Sequence, residues 1–139
     1  LVPLALKILM PGDRIPFYAY FPPPLPAYTS VDFELLTAVT ATTGIESAVA
    51  LEIEIIDSVI SEDGSSVVIT GAAKPATGTP ELSVVTLVAV AYDADGRVIG
   101  MRRVEQQVDP TAMTSFPFSF RVYSDAGEIT DVEVFGEAE

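Results

Sequence analysis

The run Ser83–Gly100, SVVTLVAVAYDADGRVIG, limits the folds open to this chain more than any other stretch. Its first ten residues are almost wholly apolar and largely β-branched, with no helical spacing. A strand that is apolar at odd and even positions alike must be covered on both faces, which places it inside a layered β structure. Asp93-Ala94-Asp95-Gly96 and a second β-rich run follow, so the spacing predicts a tight hairpin with a type I′ or related turn.

With 139 residues, 49% of them hydrophobic, the chain can build one well-buried domain, or one domain and a piece of another. Its net charge of −13, with seven cations scattered except for Arg102-Arg103, repels a phosphate backbone and argues against nucleic acid as a partner. The chain has no Cys and no His, which excludes thiol nucleophiles, Ser-His and Cys-His pairs and the usual zinc, copper and haem ligands. Absence of Asn excludes N-glycosylation. No apolar run reaches the length of a membrane-spanning helix: Leu1–Met10 is interrupted by Pro3 and Lys7, and Ser83–Tyr92 is too short. The initial Leu suggests a processed protein or an excised fragment.

In chain order, Leu1–Met10 is a short apolar strand candidate closed by Pro11-Gly12-Asp13. Ile15–Phe21 is a second, with Phe17, Ala19 and Phe21 on one face. Pro22–Pro26 is an extended connection, and Tyr28–Leu36 resumes as a strand with Val31, Phe33 and Leu35 alternating against acids. Residues 42–49 read as a linker. From residue 50 a second unit begins: Leu51, Ile53 and Ile55 alternate with Glu52 and Glu54, a half-buried strand with a solvated acidic face. Glu62-Asp63-Gly64 turns into Ser65–Ala72, Lys74–Glu81 is a loop, and the central hairpin continues as a charged stretch Met101–Val108. Strands at Thr114–Val122 and Thr130–Phe135 complete the unit.

A shift of 99 positions places Pro11 on Pro110 and, without a gap, Phe17 on Phe116, Phe21 on Phe120, Asp32 on Asp131 and Glu34 on Glu133. An internal repeat follows, in which residues 1–41 form the back half of a sister domain. That spacing and the number of short strands point to an all-β, immunoglobulin-like antiparallel β-sandwich over 50–139, with an additional partial β unit at the N-terminus.

VVTLVAVAYDADGRVIG, the Asp109-Pro110 turn, Phe116-Pro117-Phe118-Ser119-Phe120 and Val67–Ala73 together resemble the FxLYD-type and related Ig-like domains of prokaryotic cell-envelope proteins. Lys74 stands where that pattern has Asn, and Val88, Val90 and Ala91 replace its Phe and Leu before Tyr92-Asp93. The resemblance implies an extracytoplasmic, non-catalytic module.

Asp93 and Asp95 have the opening spacing of a calcium loop, and oxygen ligands are the only hard-metal ligands this chain offers. Arg97-Val98-Ile99 follows at once, so the pair is weighed chiefly as a hairpin turn, with Ser61–Gly64 as a fainter version of the same pattern. No other cofactor is indicated. The carboxylate pairs Glu52 with Glu54 and Asp131 with Glu133 are candidate acid/base partners for a hydrolase, set against a solvated, edge-protecting role. Arg102-Arg103, beside Glu105, is expected to pair with these acids across strands. Tyr18, Tyr20 and Tyr28 form a candidate interaction patch.

The leading expectation is an extracellular or cell-surface structural module, not an enzyme, in which residues 1–41 contact a protein partner or a second copy by β-strand addition, towards a filament or surface layer. The alternative is an Ig-like module presenting loops 74–81 and 93–96 to a ligand or to calcium.

Overall fold

The computed structural model describes residues 48–76, 82–109 and 115–139, together with Ala5, Leu6, Arg14, Phe17, Ala19, Pro23, Pro24, Ala27 and Ser30. The described chain is all-β and antiparallel: β1 (Val49–Ile60), β2 (Ser66–Pro75), β3 (Val84–Tyr92), β4 (Val98–Gln107), β5 (Phe116–Tyr123) and β6 (Asp131–Ala138). The strands expected within 1–41, the linker residues 42–47 and the Pro11–Pro110 end of the repeat lie outside the described residues. Val49, assigned to the linker from sequence, is the first residue of β1.

The six strands are linked in the order β4-β3-β6-β1-β2-β5. β3 lies between β4 and β6, and β2 between β1 and β5, each along most of its length. Among the described residues the two triplets are joined in the strand ladder where Val49 and Ala50 of β1 pair with Ala138 and Glu137 of β6. Beyond Ala50, β1 leaves β6 and follows β2 alone. The described fold is thus a single six-stranded antiparallel ladder built of two triplets, an arrangement compatible with a sandwich or a nearly closed barrel. At the opposite edges β4 and β5 are tied at a corner, where Asp125 N donates to Ile99 O (2.6 Å) and an Arg102 guanidinium NH donates to Arg121 O (2.9 Å).

Burial explains why β3 is apolar at every position. Val85, Leu87, Ala89 and Ala91 face β2 and β5 and join Val67, Ile69, Ala73, Phe116, Phe118 and Val122 in the main core. The alternate residues Val88 and Val90 point the other way, where Ala5 and Leu6 cover them beside Tyr92, Met101 and Phe135. Arg103 Nε donates to Ala5 O (3.1 Å) and pins this cover to β4. The charged stretch 101–108 expected after the hairpin is largely β4 itself, because only its inward positions need to be apolar at the end of a sheet.

Two turns depend on single carboxylates. In the β1–β2 turn, Asp63 Oδ1 accepts from Ser61 Oγ (2.6 Å), Ser65 N (3.0 Å) and Ser65 Oγ (2.8 Å). These donors, the Ser61 hydroxyl first, hold its pKa down at about 2, below the ordinary 3.8. A depressed carboxyl pKa stabilises the fold fully above the ordinary value, and the contribution is lost as pH falls from there through the folded value. Carbon-detected NMR titration of Asp63 is expected to show its midpoint near 2, and Ser61→Ala is expected to move it back towards 3.8; an unchanged midpoint in that variant overturns the assignment.

Candidate functional site

The hairpin carrying Asp93 and Asp95 uses its carboxylates locally. Asp93 Oδ1 accepts from Asp95 N and Arg97 N (both 2.9 Å), while Asp95 pairs with Arg97 (3.2 Å). Gly96 N donates to Asp93 O and Asp93 N to Arg97 O (both 3.0 Å). In this hairpin only Gly96, at φ +73°, has a positive φ. A type I′ turn needs positive φ at both central residues; the geometry is instead that of a type I turn closed by a left-handed glycine, one of the related turns that suits Asp and Gly equally well. One oxygen of Asp93 is occupied by two backbone donors and Asp95 by a cation. Among the described residues no group of three acidic side chains is placed to hold a metal ion. Millimolar calcium is accordingly expected to leave the melting temperature unchanged, and a rise that is lost in Asp93→Asn would reverse this reading.

The carboxylate pairs differ in their surroundings. Glu52 and Glu54 are exposed beside a shallow cleft that also includes Lys74 and Ser115, and Glu52 pairs with Lys74 at 3.1 Å. Glu133 accepts from Tyr92 OH (2.7 Å), and Asp131 Oδ1 accepts from Val132 N (2.8 Å). Partial burial, then the Glu133 contact, push the Tyr92 phenol up to about 12. The expected pairing of Arg102 and Arg103 with these acids is corrected: Arg103 meets Glu105 on its own strand, and Arg102 reaches the Arg121 carbonyl across the corner. The cations are used to fasten β4 in place. Tyr18, Tyr20 and Tyr28 lie outside the described residues, as do residues 77–81 of the candidate loop 74–81.

The structure draws attention to a place the sequence reading passed over. Ile55 was expected to be half-buried, yet Ile55, Ile56, Val59 and Ile60 are all exposed, Ile56 at 67% and Val59 at 58%. They lie along the edge of β1, past the point where it parts from β6, and among the described residues no strand pairs with that edge. A bulge between Ile55 and Asp57 shifts the register there: Ile55 opposes Gly71 and Asp57 opposes Thr70. The signal is present in LEIEIIDSVI, where the Ile55-Ile56 doublet breaks a strict alternation.

The direction of the free backbone groups follows from the ladder. Ser61 N donates to Ser66 O (2.8 Å), so Ser61, Val59 and Asp57 direct their N–H and C=O groups to β2. Ile60 and Ser58 direct theirs outward, and the bulge breaks the alternation at Ile56. The site is therefore an apolar strand edge whose outward donors and acceptors no described strand pairs, flanked by Glu54 and Glu62.

A second feature missed from sequence is Glu137, a buried carboxylate on β6 opposite Thr86 of β3 and Ala50 of β1. Its alternation with Val134 and Gly136 reads as an outward, solvated position, yet it is 2% exposed.

No protein-family model, no curated protein and no solved structure matches the chain. The class of molecule is thus defined by its own architecture: an antiparallel all-β fold with an apolar strand edge that no described strand pairs. Among the described residues no helix is long and apolar enough to cross a membrane.

Proposed function

We propose that this chain is a non-catalytic structural module of the cell exterior or cell surface that associates with other polypeptides by β-strand addition. The observation that carries the proposal is the β1 edge, where apolar side chains and outward-pointing backbone groups coincide. Native sheets normally blunt such edges with charge, proline or a covering segment, because an exposed one recruits another strand. The resemblance of Val84–Gly100 and Phe116–Phe120 to FxLYD-type envelope domains supports the extracytoplasmic setting. Absence of Cys and His supports the non-catalytic part by leaving few groups suited to acid/base or nucleophilic work. Residues 1–41 supply one route for strand donation.

Light scattering of the intact chain over a wide concentration series tests the proposal. The expected result is a mass that rises above the 14.8 kDa monomer as concentration increases. A mass fixed at the monomer value throughout would overturn it.

A further inference from the structure

We infer that the outer face of β3, with β4 and β6 beside it, is a binding site for an extended apolar segment, and that the part of this chain bearing Ala5 and Leu6 occupies it as a detachable cover. The site is separate from the β1 edge and does not rest on the association proposed above.

The pairing registers define the face. Val88 lies between Phe135 and Arg103, and Val90 between Glu133 and Met101. Alternation places Tyr92 next along β3, and puts Met101, Arg103 and Glu105 on one side of β4. Val88 and Val90 are wholly buried, although a sheet face open to water carries polar residues. Ala5 and Leu6, themselves 9% and 5% exposed, are what covers them.

The attachment is that of a docked segment. Ala5 and Leu6 belong to no strand of the sheet, so no ladder binds the cover in. Apolar side chains rest on a flat valine surface, and Arg103 Nε donates to the Ala5 carbonyl (3.1 Å). Glu105 pairs with the same guanidinium and holds it in position. Every residue has a main-chain carbonyl, so this donor fixes the path of a segment without reading its side chains. Selection falls to the valines, which favour apolar residues such as Ala5 and Leu6. Glu105 and Glu133 at the border, together with the net charge of −13, disfavour an acidic segment; Leu1–Met10 has Lys7 and no acid.

Because the chain contains no cysteine, introduced thiols report opening directly. In the full chain, Val90→Cys lies beneath the cover and Val67→Cys in the main core, at two wholly buried positions. Each is labelled with an aromatic disulfide reagent, and its rate is divided by that of the same variant unfolded in urea. Val90→Cys is expected to react at least about a hundredfold faster than Val67→Cys, since a local opening exposes the first and only global unfolding the second. Adding Leu6→Asp is expected to speed Val90→Cys about tenfold further and to leave Val67→Cys unchanged. A synthetic peptide of residues 1–10 should then slow labelling of the Leu6→Asp, Val90→Cys chain about tenfold, and Arg103→Gln should raise the peptide concentration required by about tenfold.

Equal rates for Val90→Cys and Val67→Cys would make the cover an integral part of the fold and overturn the inference, as would faster labelling of Val67→Cys in the Leu6→Asp chain. Faster labelling of Val90→Cys that the peptide does not slow would reveal an opening with no binding site, and overturns it equally. A Val90→Cys rate that changes with protein concentration would mean that covers pass between copies, against their assignment within one chain.

Discussion

Gly71→Ala is expected to destabilise the chain by about 3 kcal/mol, an effect at the upper end of overpacking in a sheet. A Cβ at this position would fall against the Glu54 carbonyl oxygen of β1 and 2.6 Å from Phe118 Cζ. The aromatic ring can rotate away only by disturbing Phe120, whose ring centroid is 5.4 Å distant. The carbonyl cannot move without breaking the β1–β2 ladder beside the bulge. Glycine at position 71 is therefore required by close approach, in the middle of a strand where it would otherwise be unfavourable. Urea unfolding checks this, and a loss of under about 1 kcal/mol would show that β1 shifts freely at the bulge.

The second large effect lies two residues away. Ile69 is the largest fully buried side chain of the main core, and it opposes Ser58 on β1 and Phe120 on β5. Truncation to alanine removes its apolar contacts and leaves a space that two flanking strands cannot collapse to fill. The expected cost is between about 2 and 5 kcal/mol. Ile69→Val should cost about 0.5–1.5 kcal/mol in the same assay. If the two variants were equal, the site would be loosely packed and the layered core described above would be wrong. Neither change touches the outward groups of β1, so strand addition should survive wherever the variant remains folded.

The architecture was largely legible where the local pattern alone decides it. The double-sided burial of β3 follows from its continuous apolar run, and both hairpin turns follow from Asp-Gly pairs, because each depends on residues close in sequence. The all-β class also follows from the number and spacing of strands. Legibility failed where a distant partner determines the outcome. Ile55 and Ile60 look like core residues by composition, yet the divergence of β1 from β6 leaves them at an open edge. Arg102 and Arg103 look available for acids on neighbouring strands, yet a backbone carbonyl from β5 and one from Ala5 take them up. Glu137 looks solvated from its alternation, yet it is buried. For Asp93 and Asp95 the sequence is ambiguous for a different reason: the same Asp and Gly residues suit a turn and a metal loop alike, and the structure shows Asp93 Oδ1 engaged by the turn's own backbone donors.

The position of β6 has a consequence for how the molecule is made. Its residues Asp131–Ala138 lie between β3 and the start of β1, so the last strand in sequence is an inner strand of the sheet. A nascent chain carrying only β1 to β5 would have β3 unpaired along the side that β6 later fills. Pairings across such sequence distances form slowly, on a timescale of about milliseconds to seconds. Translation adds roughly 5–20 residues per second, so the incomplete sheet persists until residue 138 clears the ribosome. During that interval the most apolar strand of the protein depends on whatever holds the emerging chain.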